Sequence, residues 1–357
     1  MEIILSPLNI SFYTPISIEF GGGGEKWLAR VASFLLTRGH TVRIYALPYA
    51  PGGKRRVKRI NILPEGVKYR ESWFHRIEGD VVYVVYAPFV RFLFRFRGPI
   101  IAGIHSGLFL SEKPPKLSYG VVPIVAWVTF HIFGKNDLSK YSLIHAINQK
   151  TNLYTENVKY IPNFVDTYIF APKETKKERF TVLFSGRPSW VKGYDIFLEI
   201  ASNILKITNE IDFVAVGATD SHIDNVISVP YVSDEIELAK IYSSAHLTLV
   251  PSRSENFPLT ILESLSCGTE VLTSKIDNIV SLKLPVHYAE TANEFVSKII
   301  SLYTEWNLSK STSVDKKNSL IKSVRGYSFD EISKEFELLF DQAYAANNFS
   351  SLDSLNE

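Results

Sequence analysis

A single cysteine, Cys267, is the whole thiol complement of the 357-residue chain. One thiol cannot close an intramolecular disulfide, and no Cys-x-x-Cys or Cys/His cluster offers a structural zinc site. That favours a reducing, cytoplasmic setting. No apolar run reaches the roughly 18 residues that a membrane span needs; the nearest approach, residues 121–133, is shorter. The opening MEIILSPLNI has no basic segment ahead of a long apolar one, so no secretory signal is expected. Repeats of solenoid period are missing too, as is any low-complexity tract beyond a polar tail over residues 346–357.

What is present is an ordinary globular composition, 46% hydrophobic and 21% charged, with 18 Tyr and 23 Phe. Its length suits two cores better than one. The net charge of +2 hides an asymmetry: residues 1–170 hold 21 Lys and Arg against 11 Asp and Glu, a net +10, and the remainder holds 18 against 26, a net −8. The basic half is either a solvated face or one that meets an anionic partner.

A βαβ pattern opens the chain. Apolar Ile3-Ile4-Leu5 precedes Gly21-Gly22-Gly23-Gly24, a helix over Glu25–Arg38 and a strand over Thr41–Tyr45. Glycines before a helix allow close backbone approach to a phosphate or sugar, or form a loop with no ligand. A gap of about fifteen residues from strand to glycines, with no acid closing the second strand, departs from the dinucleotide-binding pattern. Asp80–Tyr86, Pro99–His105, Ser142–Asn148 and Val158–Ile161 read as strands buried in a parallel sheet. Between them lie a basic loop, Lys54–Arg59, and the run Arg91–Arg97, where arginine alternates with aromatics. That run reads as a helix or edge segment with solvated arginines, or as a membrane-surface contact. His105 ends a strand, so it is either a ligand-crevice residue or a buried structural one.

The polar stretch Ala171–Arg179 reads as an interdomain linker, after which the βα rhythm restarts. Strands are expected over Phe180–Phe184, Asp212–Val216, His246–Val250 and Glu270–Thr273, and helices over Tyr194–Ile207 and Glu235–Ser243. The expectation is a second Rossmann-like domain, with a last amphipathic helix over Phe329–Ala345. Within this half, PSRSENFPLTILESLSCG (251–268) places Glu255 at the mouth of a helix starting near Pro258, and Glu263 further along it. Taken alone, both acids read as ordinary helix charges, and only their context points further. Arg187, Lys192 and Gly217 fall at neighbouring strand ends. Two cations offset a diphosphate, and paired carboxylates accept hydrogen bonds from vicinal hydroxyls, so the combination implies a sugar nucleotide. No Asp-x-Asp pair occurs anywhere, which argues against a metal-bridged diphosphate.

Four segments together carry a family resemblance: Phe184-Ser185-Gly186-Arg187 with Lys192-Gly193, the 251–268 stretch, the glycine loop with its helix (21–42), and Ile161–Asp166. In order and spacing they resemble glycosyltransferase family 4, retaining enzymes of the GT-B fold, across most of residues 1–345. The resemblance implies two Rossmann-like domains with a cleft between them and a crossover helix. It implies an acceptor-binding domain over 1–170, with 329–345 packing back on it, and a nucleotide-sugar domain over 171–328.

It further implies that Arg187 and Lys192 bind the donor diphosphate and that Glu263 holds the ribose. Glu255 would lie beside the transferred sugar with Asn256, Phe257 and Pro258, and Gly186 and Gly217 would line the donor site. Gly23 and Gly24 would meet the diphosphate, and His105 the donor sugar. Phe164 and Asn256 stand where the family commonly has Gly, and Glu270 where Pro is usual; Asn256 puts donor identity in question.

The implied activity is metal-independent hexosyl transfer from a UDP- or GDP-sugar, with no cofactor, to a glycan, lipid or protein acceptor. A sugar-nucleotide epimerase of the same fold and a non-catalytic nucleotide- or nucleic-acid-binding protein are the alternatives. The basic runs lack a recognised nucleic-acid motif, which argues against nucleic acid as the partner. Contact with an anionic membrane through the basic half fits a cytoplasmic protein peripheral at the membrane.

Overall fold

A computed structural model describes residues 7–50, 53–74, 76–88, 90, 94–105, 121–149, 153, 155, 157–218, 223, 226–309 and 314–353. The chain divides into two compact units, Met1–Pro162 with Ile332–Glu357, and Asn163–Glu331.

In the first unit β1 (Asn9–Thr14) leads to α1 (Gly23–Thr37) and β2 (Thr41–Ala46), followed by β3 (Lys68–Glu71) and β4 (Arg76–Glu78). Then come β5 (Val81–Val85), β6 (Arg95–Arg97), β7 (Ile100–Ile104), α2 (Val121–Leu138), β8 (Leu143–Ala146) and β9 (Val158–Tyr160). Seven of these strands form one sheet in the order β3-β2-β1-β5-β7-β8-β9, each pair parallel. The apolar runs of β1 and β5 are buried on both faces, as a parallel sheet covered by helices requires. Strand order reverses between β1 and β5, which is where an open α/β sheet leaves a crevice at its carboxyl edge. α1 turns Trp27, Leu28, Val31, Ala32 and Leu35 inward. Each large apolar side chain so buried contributes roughly 1.5–3 kcal/mol.

The expected opening strand at Ile3–Leu5 lies outside the described residues; the first described strand is β1, at Asn9–Thr14. The gap to the glycines is therefore residues 15–20 rather than about fifteen residues. Of the run Arg91–Arg97, residues 91–93 lie outside the described residues, and Arg95–Arg97 is an edge strand pairing β4 in a two-stranded sheet.

The second unit repeats the plan with β10 (Phe180–Ser185), α3 (Tyr194–Leu205), β11 (Ile211–Val216), β12 (Val226–Val229), α4 (Glu235–Ser244) and β13 (Leu247–Val250). It continues through α5 (Leu259–Ser266), β14 (Glu270–Ser274), α6 (Asp277–Val280), β15 (His287–Ala289), α7 (Ala292–Ser309) and α8 (Val314–Ser323). Its sheet, in the order β12-β11-β10-β13-β14-β15, is wholly parallel, with the reversal between β10 and β13. Phe180, Phe184, Phe197, Phe213, Leu249 and Ile299 belong to its core.

The stretch Ala171–Arg179 is not a free linker. It lies inside the second unit, with the Lys173 N–H donating to Ser243 Oγ at 3.0 Å and Lys176 Nζ to Thr269 Oγ1 at 2.6 Å; the division falls at Pro162/Asn163. The last helix, α9 (Phe329–Asp353), extends past residue 345, so part of the expected polar tail is helical. From Ile332 onward it counts with the first unit, where Phe336 packs 5.4 Å from Trp27 and Phe340 5.7 Å from Phe12, centroid to centroid. Among the described residues no helix is long and apolar enough to cross a membrane.

Candidate active site

In the second unit the sequence-selected residues gather at the carboxyl ends of β10, β11 and β13, beside the strand-order reversal. The turn after β10 begins at Gly186, whose N–H donates to the Val216 carbonyl at 3.1 Å. Gly217 directly follows β11 at φ +92°, and a Cβ there would lie 2.5 Å from the Gly186 carbonyl oxygen, so only glycine lets the two strand ends approach. The same logic holds at Gly193, the N-cap of α3. With φ +68° its Cα faces the Pro251 carbonyl, and any side chain would collide with it.

This close approach brings the Arg187–Lys192 turn onto the 251–258 loop. Lys192 Nζ donates to Glu255 Oε1 at 2.7 Å, and Ser252 Oγ donates to the same oxygen at 2.7 Å. The Glu255 side chain is only 7% exposed, so its charge is held by that pair rather than by water. Asn278 Nδ2 fixes the Glu255 carbonyl at 2.8 Å. The ammonium of Lys192 has three N–H donors, and Glu255 uses one.

Arg253 ties the same two segments together. Its N–H donates to the Val191 carbonyl at 2.8 Å and its Nη1 to the Trp190 carbonyl at 2.7 Å. The guanidinium grips both oxygens of Asp195, at 2.6 and 2.7 Å, and lies 4.3 Å from the Trp190 ring centroid. A fork of this kind is strong and directional, and it holds the Asp195 carboxyl below the ordinary carboxylate range.

Glu263 sits on α5, which starts after Pro258 as N-cap. Its Oε2 accepts from the Tyr242 hydroxyl at 2.9 Å, and that buried phenol also meets Ser185 at the end of β10. Asn256 is half-buried, while Phe257 and Pro258 are buried. Arg187 is exposed in the turn. One sheet edge of this unit therefore collects Gly186, Arg187, Lys192, Gly217, Glu255, Asn256, Phe257, Pro258 and Glu263.

The first unit holds the remaining three. Gly23 and Gly24 are exposed in the first turn of α1, and Gly24 has no atom within 4 Å of where a Cβ would stand. Gly22 caps the helix, its N–H donating to Glu25 Oε2 at 2.8 Å. His105 directly follows β7, and its ring lies 4.4 Å from that of Trp27 on α1, so the glycine helix and the histidine belong to one cluster. His105 Nε2 lies 2.8 Å from the Tyr83 hydroxyl, which lies 2.6 Å from His145 Nδ1. Burial and the neighbouring His145 push the His105 imidazole down to about 3. Among the described residues no three His, Cys, Asp or Glu side chains group as metal ligands would.

Sequence reading missed Ser252, Arg253, Tyr242, Asn278, Tyr83 and His145. Ser252 and Arg253 lay within the selected stretch but carried no motif signal. The others reach the site through strand pairing and helix packing far apart in the chain, and only the fold could supply them.

The family model described as glycosyl transferases group 1 matches residues 166–313, the segment holding the Lys192–Glu255 pair. Residues of this chain are 23% identical over 226 positions to a phosphatidylinositol N-acetylglucosaminyltransferase subunit of Arabidopsis thaliana, covering 58% of this chain and 48% of that protein. The chain spans about half or less of the length of the curated relatives it matches. Among solved structures, a sucrose-phosphate synthase from Thermosynechococcus elongatus superposes with a TM-score of 0.73 at 15% identity, over 95% of this chain and 99% of that one. HepE of Anabaena, solved in complex with UDP and glucose, superposes with a TM-score of 0.68 at 13% identity, over 94% and 99%.

The fold is GT-B. Open parallel sheets commonly leave a crevice beside a strand-order reversal, and each of the two large sheets of this chain has one such reversal.

Proposed function

We propose that this chain is a retaining glycosyltransferase that moves a hexose from a nucleoside diphosphate sugar, with uridine or guanosine as the base, to an acceptor hydroxyl without a metal ion. The observation that carries this reading is the Lys192–Glu255 pair at the carboxyl edge of the second sheet, inside the segment matched by the glycosyl transferase model. Lys192 and Arg187 bind the diphosphate and offset the charge that develops on it as it leaves. Glu263 accepts from the ribose hydroxyls, and Glu255, held by Lys192 and Ser252, receives a hydroxyl of the sugar beside Asn256, Phe257 and Pro258. Gly186 and Gly217 keep the strand ends low enough for the donor to approach the backbone. From the first unit, Gly23 and Gly24 are assigned to the diphosphate and His105 to the donor sugar.

In the step itself the bond from the anomeric carbon to the phosphate oxygen breaks, and its electron pair stays on the phosphate. The acceptor oxygen attacks the anomeric carbon from the same face and gives its proton to the departing phosphate. The anomeric configuration is kept, and no separate enzyme base is needed.

The acceptor is a glycan, lipid or protein gathered by the basic first unit. The charge asymmetry also supports peripheral contact with an anionic membrane from the cytoplasmic side. The test is a panel of sugar nucleotides, read by nucleoside diphosphate release with acceptor and by protection from thermal unfolding. Response to one donor supports the proposal, and no response to any donor sinks it. Consumption of the donor without an acceptor would assign the chain to epimerisation instead. Salt-sensitive retention of DNA or RNA with no sugar-nucleotide effect would assign it to nucleic-acid binding.

A further inference from the structure

The edge strand β3 reads Lys68-Tyr69-Arg70-Glu71, with Tyr69 and Glu71 half-buried and Lys68 and Arg70 exposed. Residues two apart on a strand share a face, so the phenol and the carboxyl reach the same neighbours. Those neighbours are residues 17–19, in the loop that leaves β1 for the glycines. Glu71 Oε1 accepts from the Ser17 hydroxyl and, at 2.6 Å, from the Tyr69 hydroxyl, and Glu71 Oε2 accepts from Arg55 Nη2 at 2.8 Å. The Ile18 N–H donates to the Tyr69 oxygen at 3.2 Å, so the phenol links the carboxylate to the loop backbone. Arg55 also grips Glu19 Oε2. Burial by itself would raise the Glu71 carboxyl; its hydrogen bonds from Ser17, Tyr69 and Arg55 outweigh burial and hold it below the ordinary carboxylate range, ionised at neutral pH.

The backbone of the same segment is held from further sides. The Ser17 N–H donates to the Tyr49 carbonyl at 2.7 Å, and the Phe20 N–H to the Ser17 carbonyl at 3.0 Å. The Glu19 N–H donates to Ser17 Oγ at 3.3 Å, so every N–H of residues 17–20 has an acceptor. The Glu19 carbonyl accepts from the N–H groups of Arg56 and Val57, and the Arg56 guanidinium lies 4.8 Å from the Phe20 ring centroid. Gly21 then turns the chain at φ +67°, a left-handed conformation that suits glycine, and α1 begins two residues on at Gly23.

We propose that Glu71 is a positioning residue: through Ser17, Tyr69 and Arg55 it holds residues 17–20 in one conformation, so that the turn carrying Gly23 and Gly24 is formed before a donor arrives. Its kinetic consequence rests on the assignment of those glycines to the diphosphate made above; its conformational content does not.

Hydrogen exchange of the intact protein without ligand tests the conformation. In the wild type the amides of residues 17–20 are expected to be protected. Glu71→Ala should speed their exchange at least about tenfold, the size of a lost hydrogen bond to a charged group, while β5 and β7 stay protected. Tyr69→Phe should speed the Ile18 amide and leave that of Ser17 slow. Glu71→Gln keeps an oxygen for Ser17 and Tyr69 but turns an amide toward Arg55, so its exchange should fall between wild type and Glu71→Ala; if Glu71→Ala loosens β5 and β7 as well, Glu71→Gln decides. Unprotected wild-type amides at 17–20, or amides there that these Glu71 variants leave unchanged, overturn the proposal even if glycosyl transfer is demonstrated. On a responsive donor, a turn that is competent a tenth of the time raises the donor KM about tenfold and leaves kcat at saturation unchanged, and Glu71→Ala is expected to show that split. General loss of folded protein would instead lower kcat and leave KM alone, and that pattern overturns the proposal. If no donor is turned over, the assignment of the glycines falls, and the exchange result alone upholds or overturns the anchoring role of Glu71.

Discussion

Lys192 is the residue whose removal separates the catalytic reading from a structural one. Its ammonium neutralises the buried Glu255 and, in the proposed function, offers further donors to a phosphate, so Lys192→Ala removes a preorganised charge and leaves the buried carboxylate with the Ser252 hydroxyl but without its cation. We expect Lys192→Ala to lower turnover at saturating donor by at least about a hundredfold, and Glu263→Ala, which removes the proposed ribose contact, to lower kcat/KM for the donor by about the same factor, both measured as nucleoside diphosphate release. Near-normal activity in either would show the site to be misplaced. Gly193 gives the complementary stability test. Its positive φ and the Pro251 carbonyl against its Cα leave no space for a methyl group. Gly193→Ala should therefore cost about 1–3 kcal/mol, the usual size of backbone strain, in a denaturant titration; an unchanged midpoint would mean that the turn shifts freely.

At the scale of elements, what the sequence disclosed and what it hid divide along burial. Central strands such as β5 and β10 were legible because a strand buried on both faces reads as an unbroken apolar run. The α5 helix was legible because Pro258 and Gly268 punctuate it. Of the four strands at the margins of the two large sheets, β9 alone was expected, and as a buried strand, whereas it lies half in water. β3, with its KYRE sequence half in water, and β12 and β15 at the sheet margins carry too little apolar patterning to be seen. The segment Ala171–Arg179 misled for the opposite reason: its charges suggested solvent, yet Lys176 is drawn in to cap the end of α4, donating to the Ala245 carbonyl at 2.5 Å.

Burial lowers the Lys176 ammonium to about 7. The unfolded chain, with an ordinary lysine, then binds more protons than the fold between about pH 7 and 10.5, so stability rises with pH across that window. Above about pH 9 the buried Cys267 thiol, pushed up to about 12, opposes the rise because only the unfolded chain ionises there. The clean interval is pH 7 to 9. Thermal unfolding should show a positive slope in it, and Lys176→Met should flatten that slope; the same slope in wild type and variant would refute the assignment.

For the molecule as a whole, the division of charge between the two halves is the feature with the longest reach. A net +10 over residues 1–170 against −8 over the rest orients the protein in a field even though the total is only +2. The loop 54–59 concentrates part of that charge, with Lys54, Lys58 and Arg59 exposed beside Ile60, which is 80% exposed. Arg55 is already engaged by Glu19 and Glu71, so it is not a sensible target. Cations next to an exposed apolar side chain suit an anionic bilayer surface, where each lysine is worth about 1 kcal/mol. We expect the intact protein to co-sediment with phosphatidylglycerol vesicles at low salt and not with phosphatidylcholine vesicles. Release should follow as ionic strength rises from about 0.05 to 0.5 M, where the Debye length shrinks to a few ångströms. The double variant Lys54→Glu/Lys58→Glu reverses two charges outside the proposed donor site, so it should weaken vesicle binding about tenfold or more while leaving turnover of a soluble acceptor unchanged. Equal binding to both vesicle types would remove the membrane from the reading and leave the basic half to recognise an anionic acceptor in solution.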